Sequence, residues 1–457
     1  MELSPLCLLP MLLHLHLLLL LLLVSPPPCS SAQPTPHPPP PPPAPPLPPE
    51  ASSPLVEGRP FVVVWNMPTD RCQWLHGVQL HLGAFDIVVN TQQHFLGQNM
   101  TIFYRDRLGA YPFISRSGMD VNGGVPQNAD LTAHLALADR QISSQLRPDF
   151  AGLAVIDWEE WRPLWERNYG WQDEYRLRSK RQVREERWEL DSEQEVAEEA
   201  RRRFEEGARR LMGETLTLGV MSRPGGRWGF YGFPACYNEP KKKKRGGPEG
   251  PQYTGQCHPG TSRLNDRLDW LWGASTGLYP SIYLKRRLAG APEAALMVRH
   301  RVLEALRVGS SGRHGNASTQ ATPVFPYARL AFRRTLDFLN ETDLEHTIGE
   351  AAALGAAGVV LWGELEFASS KEQCVLLRDY LRHTLGRYVR KLRKYTRRCS
   401  HRRCHGNGRC ARRHPDVGHV IPNNSTGGGG GRGPFSRHFL CHCYRGWAGE
   451  RCAESRE

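Results

Sequence analysis

No two cysteines in this 457-residue chain have the C-x2-C spacing of a structural zinc site, so a zinc-built module is excluded. No hydrophobic run reaches the ~20 residues that span a bilayer. The leucine-rich stretch at 12–24 falls short of that length. It is followed by the small residues Ser30, Ser31 and Ala32 and reads as a secretory signal over residues 1–32, although its flank carries Glu2 and no Lys or Arg. The C-terminus lacks the hydrophobic tail of a lipid-anchor signal. Acids are scarcer than bases, 46 against 59, leaving a formal charge of +13. Between residues 381 and 415 there is no Asp or Glu at all. Such a balance calls for a polyanionic partner or a basic surface. With a secretory signal the polyanion is expected outside the cell, so nucleic acid is not an expected partner.

Of the twelve cysteines, Cys7 and Cys29 leave with the signal, and the ten that remain suit a disulfide-bonded secreted chain. Glycosylation sequons stand at Asn99, Asn316, Asn340 and Asn424, with Asn423 overlapping the last. Residues 33–58 are a proline-rich leader, expected to be extended and coreless. From residue 59, short β-rich runs at 61–65, 85–89, 101–104, 153–157, 228–233, 281–284, 324–330 and 358–362 are separated by helical patterns, notably 133–145, 194–218, 294–308 and 341–354. This alternation predicts an α/β fold with a parallel sheet, and at this length a barrel. The charge-dense stretch 172–210 predicts one long solvated helix or a pair. The run from Lys241 to Arg245 sits in a Gly- and Pro-rich surface loop, and 381–395 reads as a basic helix with a solvated face.

The chemistry gathers where residues 153–156, wholly apolar, stop at Asp157, with Glu159 two residues on. Side chains on a strand alternate, so both carboxyls project to one side, with Cα atoms roughly 7 Å apart. The C-terminal end of a buried parallel strand is where barrel enzymes carry their reactive groups. Repulsion and partial desolvation there favour keeping one carboxyl protonated. Trp158 and Trp161 flank the pair and are expected to keep water from it. The bland alternative is an acidic first turn of the following helix.

Asp157-Trp-Glu-Glu-Trp-Arg-Pro163 resembles the signature of the animal hyaluronidases, glycoside hydrolases that cut hyaluronan. Further similar stretches follow in the family's order: Asn99 to Tyr104, Gly123 to Asn128, Trp228 to Pro234, Trp270 to Trp272, Tyr279 to Tyr283 and Gly355 to Trp362. The resemblance runs from about Arg59 to Cys452. It implies a distorted (β/α) TIM-like barrel over 59–395. The cysteine spacing of 399–452, with Gly446-Trp-Ala-Gly449, resembles a small EGF-like module, placed at 396–457. For the cysteines the resemblance implies Cys72–Cys374, Cys236–Cys257, Cys399–Cys410, Cys404–Cys441 and Cys443–Cys452; spacing alone leaves fifteen pairings open for the last six.

Two carboxyls on one strand cannot act on opposite faces of a sugar, which points to substrate assistance by the N-acetyl group of the hexosamine. Glu159 is expected as the proton donor, and Asp157 as the group that orients it and steadies the acetamido cation. The resemblance places Tyr231 and Tyr283 against the acetamido group, Trp362 beneath a sugar ring, and Tyr104 and Arg301 in the substrate groove, Arg301 as a carboxylate clamp. Arg329 and Arg333 are further expected groove residues. Where acid-active members carry an Asp, this chain has Arg333 beside Arg334, a departure that bears on pH dependence and strength of activity. The expectation is a secreted or lysosomal monomer that hydrolyses hyaluronan, with chondroitin chains as a second substrate class and no metal or organic cofactor. The rivals are a hyaluronan-binding protein that hydrolyses poorly and a chitinase-like hydrolase. The latter carries additional strand-borne acids that 153–156 lacks.

Overall fold

Valine-rich runs buried on both faces build the centre of the molecule. In this computed structural model residues 50–89, 97–240, 252–311, 320–417 and 438–456 are described. The expected signal, the leader as far as residue 49, the loop of Lys241 to Arg245 and the sequons at Asn316 and Asn424 lie outside them.

β1 (Val62–Asn66) is buried along its whole length. It pairs in parallel with β2 (Ile87–Val88) on one side. β3 (Met100–Tyr104), β4 (Leu153–Asp157) and β5 (Arg227–Phe230) form a second parallel group in the order β3-β4-β5. β6 (Tyr327–Ala328) and β7 (Gly358–Trp362) complete the first group, in the order β2-β1-β7-β6. Single parallel bridges, Tyr231 to Tyr279, Leu278 to Val324 and Ser281 to Tyr327, carry the pairing from β5 through residues 278–281 to β6. The fold is α/β, and its parallel strands end on a common edge: Tyr104 is in register with Asp157, and Asn66 with Trp362.

Two expected strands shrink for a stated reason. In 324–330 and 281–284, Pro326 and Pro280 supply no N–H, so the ladder is reduced to β6 and isolated bridges. The run at 228–233 ends early because Gly232 turns the chain at φ +80°.

The longer helices among the described residues include α1 (Leu131–Gln145), α2 (Asp173–Glu186), α3 (Glu193–Ser222) and α4 (Pro292–Ser311). The charge-dense stretch is therefore a pair, α2 and α3, broken at Ser192, whose hydroxyl and the Glu195 carboxylate form a reciprocal cap. Arg203 braces the pair, reaching Glu199 at 2.7 Å and Glu186 at 2.5 Å. The helix expected at 341–354 runs as Glu341–Leu344, a π turn at Glu345–Gly349 and Glu350–Ala353.

Two expected boundaries are corrected. Residues 50–58 are not a free leader: Ala51 donates its N–H to Cys443 at 2.7 Å, Ala51 and Ser52 are buried, and Leu55 and Val56 pack on the core. The apolar side chains of Leu55 and Val56 support the docking. The break at 395/396 falls inside one helix. After α5 (Lys371–Tyr380), α6 (Gly386–Cys404) keeps Tyr388, Val389, Leu392 and Cys399 buried along one face and runs into the C-terminal ribbon of β8 (Gly408–Arg412) and β9 (Phe439–Cys443). Disulfides Cys399–Cys410, Cys404–Cys441 and Cys443–Cys452 hold that region, while Cys72–Cys374 and Cys236–Cys257 lie in the body.

Candidate active site

At the common strand edge lies a cleft of about 1260 Å³. Asp157, Glu159, Tyr104, Tyr231, Tyr283, Arg301 and Trp362 all line it, as do Arg329 and Arg333. Asp157 ends β4 and points in, and one of its carboxyl oxygens, Oδ1, is cut off from solvent without a hydrogen-bond partner. Burial, and next the charge of Glu159, push its pKa up to about 8, with Arg162 opposing. Asp157 therefore holds a proton near neutral pH. Glu159 lies beyond the strand and is exposed. Its backbone carbonyl is held from behind by Gln172 at 2.9 Å and by Arg162 at 3.3 Å.

The flanking tryptophans do not shield the pair. Strand alternation turns Trp158 to the opposite face, where it stacks on Tyr111 at 4.6 Å. Trp161 donates to the Pro112 carbonyl at 2.9 Å, also inside the core. Phenols cover Asp157 instead. The Tyr231 ring lies 4.9 Å from that of Tyr327 and 6.3 Å from that of Tyr283, which stacks at 6.5 Å on Trp362. Burial, and then the Glu159 charge, raise the Tyr231 phenol to about 12, while burial and Asp157 raise Tyr104. These tyrosines are hydrogen-bond donors at any working pH. Tyr327, whose hydroxyl is buried and unpartnered, was not anticipated; its one signal was an aromatic residue within the β-rich run 324–330.

The arginines are less available than expected. Arg301 donates to Asn238 at 2.8 Å and to the Ser281 carbonyl at 2.9 Å, so part of its fork serves the wall of the cleft. Arg329 is paired with Glu364 through both nitrogens. Arg333 lies 3.9 Å from Glu239, which also meets Lys285, Arg287 and Arg301. Four cations around one carboxylate leave this end of the cleft positive. At the Glu159 side, Tyr169 and Tyr237 form an exposed aromatic edge with ring centroids 6.4 Å apart. Asn99 and Asn340 are exposed.

The hyaluronidase family profile matches residues 50–427. The chain is 47% identical to hyaluronidase-3 of Homo sapiens over 408 residues, 88% of this chain and 93% of that protein. It is 42% identical to hyaluronidase-1 of Bos taurus over 422 residues, 88% of this chain and 90% of the relative. Among solved structures it resembles bee venom hyaluronidase in complex with a hyaluronic acid tetramer. There the TM-score is 0.63 and the identity 33%, covering 73% of this chain and 99% of that one.

Proposed function

The chain belongs to the hyaluronidase family, and on that premise we propose that it hydrolyses hyaluronan by substrate-assisted catalysis centred on Glu159 and Asp157. The carrying observation is that both carboxyls line one cleft at the common strand edge, with the pKa of the deeper one, Asp157, raised by burial. No carboxyl sits on the opposite face of the bound sugar in this reading, so the nucleophile is the substrate's own acetamido oxygen. It attacks C1 as the C1–oxygen bond to the leaving sugar breaks, and Glu159 delivers a proton to that oxygen. Water then attacks C1 of the oxazolinium, the ionised Glu159 takes its proton, and the configuration is retained.

In the resting cleft burial holds a proton on Asp157. With the acetamido N–H against Asp157, the developing positive charge favours the ionised form there, and the proton belongs on Glu159, facing the leaving oxygen. Tyr231 and Tyr283 donate to the acetamido group or pack against it, Tyr104 shares that wall, and Trp362 supports a sugar ring. The positive end near Arg301 and Arg333 suits a chain carrying one carboxylate per disaccharide; chondroitin, with the same periodicity, is a second substrate.

We read the eight parallel segments as a distorted barrel and residues 399–452 as EGF-like. The carboxyls at the strand ends support the first, and the three local disulfides the second. Five disulfides favour secretion or a lysosomal route, with glycans at the exposed sequons. Among the described residues no helix is long and apolar enough to cross a membrane. Arg333 and its neighbours favour one rival, a binder that cleaves slowly. Assay of size-defined hyaluronan from acid to neutral pH separates the two. Cleavage that disappears in Glu159→Gln while binding persists supports the enzyme; a variant that cuts at the parent rate moves the acid elsewhere.

A further inference from the structure

The basic segment 381–395 has no role in the cleft, and none of its residues lines it. After a π turn at Leu381–Leu385 its remaining residues open α6, which continues to Cys404. At 3.6 residues per turn Arg387, Arg390, Lys394, Arg397, Arg398 and Arg402 fall on one face. All six are exposed. At 1.5 Å per residue they extend over about 22 Å. Among the described residues none of the six has a carboxylate within salt-bridge distance. Lys391, on the same face, meets Glu341 at 3.4 Å. The opposite face, with Tyr388, Val389 and Leu392, is fixed in the core, and Cys399 and Cys404 bolt the last turns to β8 and β9.

The charges are therefore presented on a rigid rod at a standing electrostatic cost, since among the described residues no carboxylate pairs with these six. We propose that this face of α6 docks a sulfated glycosaminoglycan, a linear polyanion with several charges per disaccharide. Hyaluronan, with one carboxylate per disaccharide, offers too few anions along the rod to match it. A bilayer is a poorer fit, because the apolar face of α6 is already buried and no exposed apolar side chain accompanies the cations. The disulfide-rich chain makes an extracellular polymer a better match than nucleic acid. Release of counterions from the sulfates would drive binding, as it does for other polyanions. The consequence is a second polymer site, separate from the cleft, that holds the protein in a sulfated matrix while hyaluronan is processed.

The test uses the full chain and a size-defined heparin oligosaccharide, titrated at about 0.15 M salt, where the Debye length is about 8 Å. Reversing Arg390, Lys394 and Arg397 to Glu should weaken heparin binding about tenfold or more and flatten its salt dependence. Each single reversal should give a smaller loss in the same direction. Reversing Arg181, Arg209 and Arg210, exposed cations of α2 and α3, should change it less than about twofold, because total charge alone is not the cause. Binding of a short hyaluronan oligosaccharide should stay within about twofold in the α6 variant, which also verifies its fold. The proposal is overturned by unchanged heparin binding in the α6 variants, by an equal loss in the α2–α3 control, or by an equal loss for short hyaluronan. Phosphatidylcholine–phosphatidylserine vesicles that bind through α6 as tightly as heparin would also overturn it, in favour of a membrane surface.

Discussion

Two of the carboxyl groups drawn into this molecule, Glu350 and Asp157, have opposite surroundings. Glu350, at the seam between α4 and the C-terminal ribbon, has no solvent exposure and is fully partnered. Arg299 donates to it at 2.7 Å, and Arg412 donates to both its oxygens at 2.8 Å. Asp157, at the floor of the cleft, has a buried oxygen without a donor and is held protonated. Burying a charge is tolerated when hydrogen bonds and countercharge replace water, and otherwise the group takes a proton. The seam thus uses its carboxylate to join two parts of the fold. The cleft keeps its carboxyl unsatisfied, a state a substrate's N–H can relieve.

The comparison breaks first at Glu350. Glu350→Gln leaves two buried guanidinium groups uncompensated and should cost about 3–5 kcal/mol in denaturant unfolding, with hydrolysis by the folded fraction little changed. A loss under about 1 kcal/mol would mean that the seam does not depend on the pair. Next comes Asp157→Asn, which should lower kcat about 10²- to 10³-fold with little change in KM, because it removes charge stabilisation that develops in the transition state. Near-parent turnover would leave Asp157 a bystander.

The same substitution should raise stability, the reverse of Glu350→Gln. Between the ordinary carboxyl pKa of 3.8 and about 8, the unfolded Asp157 is ionised and the folded one protonated. The unfolded state binds fewer protons there, so stability falls as pH rises across that window. The amide of Asp157→Asn does not titrate, so the variant should gain on the parent progressively from pH 4 to pH 8, by roughly 1.4 kcal/mol per pH unit inside that window. A constant difference across that range would remove the proton from Asp157. The smallest effect belongs to the outer edge of the cleft, where Tyr169 is 58% exposed. Tyr169→Ala should raise KM for long hyaluronan about two- to tenfold and leave short substrates alone.

These contrasts mark what could be read from the residues alone. Leu153–Asp157 and Gly358–Trp362 occupy the expected spans, because an apolar run ended by a polar or bulky residue states both its strand and its end. The same alternation that put Asp157 and Glu159 on one side should have warned that Trp158 faces away. The residues expected in the groove do meet in one cleft, since all but Arg301, which reaches in from α4, close a parallel strand or follow one. That Asp157 holds a proton was not legible, because it depends on how deeply its carboxyl is drawn from solvent. Nor was the partnering of Glu350, whose arginines lie 51 and 62 residues away in the chain. The engagement of Arg301 by Asn238 and Ser281 is equally non-local. The helix across residue 395 was hidden by its own composition, where dense Arg and Lys masked a regular apolar face.

The central claim is that the substrate supplies the nucleophile which the cleft lacks. The most direct measurement compares hydrolysis of hyaluronan with that of its de-N-acetylated form by the unaltered protein, with binding of each polymer followed separately. The account predicts that the de-acetylated chain binds but is not cut. Cleavage of that chain at a rate near that of hyaluronan would contradict it.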